Sequence, residues 1–160
     1  MKRSLIRPLV LTALALTLQQ GAFAADTSSP ASDNLTQARS LIKDKKWAEA
    51  IGELKRVNDT GSADWNNLMG YSLRKAKAPD LDAAERYYDE ALRIDPKHRG
   101  ALEYSGELYL MKGDLASAEK RLAVLDKACI FGCDEYTDLK KAIERYKASG
   151  HKAAAGPYGG

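Results

Sequence analysis

Residues 106–122 read GELYLMKGDLASAEKRL. In this stretch Gly106 is followed three positions later by Tyr109, and a Gly-Asp turn separates that pair from Ala118 and Leu122, which are four positions apart. Both spacings place the residues on one face of a helix. The stretch therefore predicts two helices joined by a tight turn, each pressing a small residue against a neighbour.

The second of these helices recurs along the chain. Ala50, Ala84 and Ala118 follow one another at intervals of about 34 residues. Two residues that can pack in a core follow each alanine on the same helical face, the first four positions later and the second three positions beyond it. These six residues are Leu54, Tyr88, Leu122, Val57, Ala91 and Leu125. One helical face is thus repeated in three copies.

The first helices repeat less regularly. Their small residues are Ala38, Gly70 and Gly106, so the second interval is longer than the first. We interpret the difference as an insertion in the turn 76–80, offset by a shorter connection at 60–62. Pro79 is expected to end one helix, and Asp80 to cap the next.

The three copies resemble the tetratricopeptide repeat (TPR), in which a small residue and a tyrosine in the first helix precede an alanine and an aromatic residue in the second. The third copy is the most similar, and the first is the most degenerate. The resemblance implies an all-α fold: a right-handed α-solenoid of about three TPR helix pairs. The residues that carry it outside the third copy are Trp65, Leu68, Gly70, Ala84, Tyr88, Ala91 and Pro96, and then Ala38, Leu41, Trp47, Ala50 and Leu54.

The predicted TPR domain covers residues 31–148, with repeats at about 31–61, 62–98 and 99–130. A further helix is predicted at 134–148, where an apolar stripe runs along one face. Since an end repeat lacks a neighbour, this helix is expected to cap the solenoid. Residues 25–30 and 149–160 have little to bury and are predicted to be disordered. The stripe consists of Tyr136, Leu139, Ile143 and Tyr146.

The first 24 residues have the pattern of a secretory signal peptide. A basic start is followed by an apolar stretch at 9–18 and by Ala22-Phe23-Ala24, small residues two apart. The apolar stretch is roughly half of the ~20 residues that cross a bilayer. We therefore predict cleavage after Ala24, a periplasmic or secreted product of a bacterium, and no integral membrane segment after the leader is removed.

Charge argues against nucleic acid as a partner. The leader carries three of the 25 basic residues and none of the 22 acidic ones, so residues 25–160 have a formal net charge of zero. A nucleic-acid-binding domain is expected to have an excess of basic residues on one face.

No sequence motif points to catalysis. The chain shows no phosphate-binding loop, nucleophile elbow or paired metal-ligand spacing, and its two histidines, His98 and His151, are predicted to be exposed. Asp80, Asp82 and Glu85 suit the start of a helix better than acid–base chemistry. We therefore predict a protein that is not an enzyme and needs no cofactor or metal.

Cys129 and Cys133 form the one reactive candidate. In an oxidising compartment a structural disulfide is favoured, which would pin the third repeat to the last helix. Free or shuffling thiols and a metal site are the alternatives, although no His or Met stands close in sequence to complete a coordination sphere.

The resemblance also implies a concave groove lined by the first helices, where family members hold a peptide or partner helix. With Gly70 as phase marker, the partner-binding groove residues are Arg39, Lys43, Asn67, Tyr71, Arg74, Glu103, Tyr104 and Glu107. A different phase would bring in Asn66 and Ser72.

The groove residues have two interpretations each. Asn67 and the cations Arg39, Lys43 and Arg74 could clamp a peptide carboxylate or form a solvated face. The groove is predicted to be positive at the first two repeats and negative at the third. Tyr71 and Tyr104 could be contact anchors or packing between first helices. Trp47 and Trp65 are expected to lie in the core.

The leading hypothesis is a protein–protein interaction scaffold or assembly factor of the bacterial envelope, which binds an unidentified envelope protein or peptide. The alternative is a thiol-redox or metal-handling protein that uses Cys129 and Cys133. A third hypothesis is a homodimer formed through the N-terminal face of repeat one.

Overall fold

A computed structural model describes residues 34–150 of the protein. The predicted leader 1–24, the linker 25–30 and residues 151–160 of the tail lie outside the described residues. The described chain forms seven α-helices: α1 (Thr36–Lys43), α2 (Trp47–Val57), α3 (Ala63–Lys75), α4 (Leu81–Ile94), α5 (Arg99–Met111), α6 (Leu115–Ala128) and α7 (Asp134–Ala148).

The helices pack in consecutive pairs. Helix α1 packs on α2, α3 on α4 and α5 on α6, and α7 packs on both helices of the last pair. The predicted all-α solenoid of three helix pairs with a C-terminal capping helix is confirmed. In α7 the predicted stripe faces the core, with Leu139, Ile143 and Tyr146 buried and Tyr136 half-buried.

The small residues mark the helix contacts, as their 34-residue spacing predicts. Ala50, Ala84 and Ala118 are fully buried, and Ala38 is fully buried in the first helix. Larger side chains fill the space around them in two clusters, one centred on Leu54, Trp65 and Met69 and the other on Tyr88, Leu108 and Leu125. Leu73 packs against both clusters, so the core is continuous along the solenoid.

The predicted insertion lies where expected. The pairs α1–α2 and α5–α6 are joined by residues 44–46 and 112–114, whereas 76–80 join α3 to α4. Asp80 caps α4, since its Oδ1 accepts a hydrogen bond of 2.9 Å from the Ala83 N–H. The predicted shorter connection at 60–62 is wrong. Residues 58–62 form a longer link than 95–98, and it is α2 that is short, at 11 residues against 14 in α4.

Gly70 permits close contact between α3 and α4. A Cβ at this position would lie 2.9 Å from the buried Tyr88 ring and 3.0 Å from the Ala84 carbonyl oxygen. Gly70→Ala is therefore expected to lower the free energy of unfolding by about 1–2 kcal/mol, because overpacking outweighs the gain in helix propensity. Urea denaturation of the purified variant measures this loss.

Gly52 supplies the matched control. It is also helical, but a Cβ there would meet nothing within 4 Å. Gly52→Ala is expected to stabilise the protein by about 0.5–1 kcal/mol through helix propensity alone. Equal effects of the two substitutions would show that the α3–α4 contact does not depend on a missing side chain.

Candidate functional site

The first helices of the pairs form one layer. Helix α1 lies close to α3, α3 to α5, and α5 to α7, whereas within residues 34–150 the backbones of α2 and α4, and of α4 and α6, are farther apart. Helices α4 and α6 touch through an ion pair between Asp89 and Arg121, at 2.8 Å. A stack of helix pairs curves toward the side on which successive helices lie closer together. We call this side, formed by α1, α3, α5 and α7, the inner face. It carries the predicted groove residues.

Helices α3 and α5 meet at three pairs of residues, and the residues of each helix are spaced alike along the chain. Asn67, Tyr71 and Arg74 run along one face of α3, and each faces α5. Asn67 lies against Gly100, where a Cβ would be 3.1 Å from its Nδ2 atom. Tyr71 meets Tyr104, and Arg74 meets Glu107. Most of the predicted groove residues thus also hold the two helices together.

Asn66 and Ser72, the candidates in a different phase, serve the backbone instead. The Asn66 amide donates hydrogen bonds of 2.8 Å to the carbonyls of Thr60 and Ser62. The Ser72 hydroxyl donates to the Leu68 carbonyl at 2.8 Å. Both side chains are buried, so the phase set by Gly70 fits the inner face better.

Aromatic rings cross the inner face in contact with one another. The centroids of Tyr71 and Tyr104 are 4.5 Å apart, and Trp47 meets Tyr71 edge-on at 5.8 Å. All three residues are half-buried. We call this set the aromatic ladder. The tyrosines therefore pack between helices, yet part of each remains accessible to a partner. Trp65 is buried as expected, but the expectation that Trp47 also lies in the core is wrong, since it is half-buried and contacts Tyr71.

Arg74 and Glu107 form a buried ion pair beneath the ladder. Arg74 Nη2 donates to Glu107 Oε2 at 2.8 Å, and the guanidinium lies 5.5 and 5.7 Å from the centroids of Tyr71 and Tyr104. Burial opposes the charge, but the neighbouring Tyr88 hydroxyl and Glu107 hold the pKa of Arg74 above its usual value. The charge of Arg74 is thus already paired within the protein.

A carboxylate clamp of the predicted kind is not formed. Arg74 forms its ion pair with Glu107, and Arg39 Nη2 donates to Asp64 Oδ2 at 2.8 Å. Asn67 is buried against α5. Lys43, exposed one turn beyond Arg39, is the remaining member of that set. The predicted positive end of the groove is correspondingly weaker.

The prediction that His98 is exposed is wrong, since its side chain is only 14% accessible. Its Nδ1 accepts a hydrogen bond of 3.1 Å from the Ala101 N–H and so caps α5, while Nε2 lies 2.8 Å from Asp64 Oδ1. A neutral imidazole with the proton on Nε2 satisfies both contacts. Asp64 of α3 thus binds both Arg39 of α1 and His98 at the start of α5, so it links the first helices of all three pairs.

Glu103 is a buried carboxyl on the inner face, with 8% of the residue exposed. Burial raises its pKa to about 8, and the negative charges of Glu107, Asp138 and Glu135 add to the effect, opposed by Arg74. At neutral pH the group is therefore largely protonated. The buried Asn67 Oδ1, on helix α3, has no hydrogen-bond partner among the described residues.

The eight predicted groove residues thus differ in accessibility. Arg39 and Lys43 are exposed, while Tyr71, Tyr104 and Glu107 are half-buried. The other three, Asn67, Arg74 and Glu103, are buried. Sequence reasoning missed Asp64, which pairs with Arg39 and His98, and it missed Glu135 and Asp138, whose charges act on Glu103. The 34-residue interval between Asp64 and His98 was a usable signal, because it equals the repeat period.

The acidic residues at the start of α4 have structural partners. Lys112 Nζ donates to Asp82 Oδ1 at 2.8 Å and to Glu85 Oε2 at 2.6 Å. These contacts tie the turn after α5 to the preceding pair. They agree with the interpretation of this cluster as structural.

Cys129 and Cys133 form a disulfide bond, as predicted. It joins the residue that ends α6 to the residue that caps α7, where Cys133 Sγ accepts from the Tyr136 N–H at 3.4 Å. Within residues 34–150 no group of three or more His, Cys, Asp or Glu side chains is arranged to hold a metal ion. Nothing in these contacts favours the thiol-redox or metal-handling alternative.

Comparison with known families agrees with this geometry. The tetratricopeptide repeat family matches residues 76–128, a segment that contains α4, α5 and α6. No curated protein is similar enough to the chain to count as a relative. In the part of the chain that the structure describes, no helix is both long and apolar enough to span a bilayer. The fold is an all-α TPR solenoid, and repeats of this family generally mediate binding between proteins.

Proposed function

We propose that this protein is an exported scaffold or assembly factor of the bacterial envelope that holds a peptide or helix of a partner protein on its inner face. The observation that carries the proposal is the aromatic ladder. Tyr71 of α3 contacts both Trp47 of α2 and Tyr104 of α5, and each ring keeps an accessible part. Aromatic surfaces fixed before binding lose little conformational entropy when a partner docks.

The buried network under the ladder supports this role. The Arg74–Glu107 pair and the guanidinium–ring contacts hold Tyr71 and Tyr104 in place. A partner then meets a surface that needs no rearrangement. Its recognition relies on the rings and on the exposed Lys43 of α1, rather than on a buried charge clamp.

Export is supported by the leader pattern at residues 1–24. The Cys129–Cys133 disulfide is compatible with export, since disulfides persist in the periplasm and outside the cell rather than in a reducing cytosol. A protein-binding solenoid in that compartment would act on other envelope proteins.

The proposal is tested by crosslinking in the periplasm of the source bacterium. A photo-reactive amino acid is placed at Lys43, on the inner face, or at Lys120, exposed on helix α6, as the matched control. We expect a discrete crosslinked partner from position 43 and none from position 120. The mature protein should begin at Ala25.

A second variant identifies the part played by the ladder. Tyr104→Ser in the chain with the crosslinker at position 43 is expected to reduce the adduct at least several-fold while the helical content stays unchanged. Identical adducts from positions 43 and 120, or an adduct that is indifferent to Tyr104, would rule out the inner face as the binding surface.

A further inference from the structure

The loop between α6 and α7 carries the most exposed apolar side chains of the described chain. Phe131 is 100% exposed and Ile130 is 81% exposed, whereas Met111 and Val124, the other exposed large apolar residues of this part, are 42% and 39% exposed. We call Ile130 and Phe131 the knob. The two side chains are adjacent and together form an exposed apolar patch that a partner surface could cover.

The knob is held in place by the covalent structure around it. The Cys129–Cys133 disulfide closes the loop, and the Gly132 N–H donates to the Cys129 carbonyl at 2.8 Å. Gly132 has a positive φ of 83°, which lets the chain turn back toward α7. Because both ends of the loop are attached to helices, docking the knob requires little ordering of the chain.

A complementary cavity lies at the other end of the solenoid. It has a volume of about 650 Å³ and lies between α2 and α4, on the side opposite the inner face. Leu73 of α3 and Tyr87 of α4, both half-buried, supply its accessible apolar lining, whereas Trp65 and Met69 belong to its wall but are only 3% and 1% exposed. We call it the outer pocket. Cavities in this size range bury ligands larger than one or two side chains.

Charge around the knob and the outer pocket is complementary. Two cations, Lys55 and Arg86, and one carboxylate, Glu90, belong to the pocket lining. Two exposed carboxylates, Asp126 and Asp134, and one exposed cation, Lys127, lie close to the knob in the sequence. The two surfaces thus have net charges of opposite sign, which favours association between them.

The knob does not reach the outer pocket of its own chain. It is attached to α6 and α7, and in the described structure α7 has no contact with α2, α3 or α4. We therefore propose that the knob of one molecule inserts into the outer pocket of a second copy. The contact joins two different surfaces, so it links molecules head to tail.

This contact goes beyond the proposed partner binding, because it leaves the inner face open. A head-to-tail assembly would present several inner faces at once, which raises the avidity for a partner with repeated binding segments. The predicted homodimer through the N-terminal face of repeat one is a different arrangement, and the knob distinguishes the two.

The test is sedimentation of the protein purified from the periplasm over a wide concentration range. Its weight-average mass is expected to rise with concentration. Phe131→Ser is expected to weaken association at least tenfold, and so is the double substitution Lys55→Glu with Arg86→Glu. All three positions are exposed, so the variants should fold. Val124→Ser, which removes apolar surface elsewhere on α6, is expected to leave association unchanged.

Mixing the two defective variants gives the decisive measurement. Phe131→Ser keeps an intact pocket, and the Lys55→Glu, Arg86→Glu variant keeps an intact knob, so their mixture should form a 1:1 dimer that grows no further. A wild-type protein that stays monomeric would overturn the proposal. So would a mixture that stays monomeric, or equal loss with Val124→Ser. A Lys55→Glu, Arg86→Glu variant that still associates by itself would overturn it as well, because it would indicate a symmetric knob-to-knob contact. Crosslinking from Lys43 tests the inner face separately from these outcomes.

Discussion

Replacing Arg74 with Ala is expected to lower the free energy of unfolding by about 3–5 kcal/mol. The Arg74 side chain is only 5% exposed and forms its ion pair with Glu107 at 2.8 Å. Removing it leaves the Glu107 carboxylate, whose side chain is only 18% exposed, without its partner. The buried Tyr88 hydroxyl, which has no hydrogen-bond partner among the described residues, loses its cationic neighbour as well. Urea denaturation followed by circular dichroism measures the effect.

Arg39→Ala is the matched control for this prediction. Arg39 also donates to a carboxylate, Asp64, at 2.8 Å, but its side chain is 43% exposed. Because water solvates both charges after the pair is broken, the loss should stay below about 1 kcal/mol. Similar losses for the two arginines would show that the Arg74 pair is not buried in solution. A Glu107→Gln change should recover part of the loss in the Arg74→Ala background.

Periodicity predicted the helical framework because packing repeats with the sequence. A helix pair needs a small residue where two axes approach, and Ala50, Ala84 and Ala118 meet that need at the same place in each repeat. The same reasoning located the insertion at 76–80. Periodicity gives only the total distance between repeats, so it cannot tell a shortened helix from a shortened turn. The shortness of α2 was for this reason assigned to the turn at 60–62.

The inner face was harder to predict, since the family pattern marks positions but not their burial. Arg74 and Glu103 occupy groove positions, yet neighbouring first helices cover them. Whether a charged residue there meets solvent or an ion pair depends on the facing residue, and Arg74 and Glu107 are separated by 33 positions. That interval is easily read as chance when the dominant period is 34. The exposure of Phe131 had no sequence signal either, because an apolar residue in a loop usually packs inward.

Glu103→Gln is expected to stabilise the protein at pH 8 by on the order of 3 kcal/mol and to leave its stability near pH 4.5 almost unchanged. Burial and the carboxyls of Glu107, Asp138 and Glu135 raise the pKa of Glu103 from 4.5 to about 8 in the folded protein, with Arg74 opposing them. Below pH 4.5 the group is protonated in both the folded and unfolded states. Between pH 4.5 and 8 it ionises only in the unfolded chain, so wild-type stability falls as the pH rises, and it levels off above pH 8.

Glutamine removes this slope because it stays neutral at every pH while keeping the shape of the side chain. The measurement is the urea midpoint of both proteins at pH 5, 6.5 and 8, with Glu49→Gln as the control, since Glu49 is exposed on α2 and folding leaves its carboxylate in water. A wild-type slope that survives in Glu103→Gln would assign the pH dependence to another group. A slope that is lost in Glu103→Gln alone shows that the inner face is less negative than its sequence suggests, and a partner would then meet an aromatic surface with a neutral carboxyl beside it.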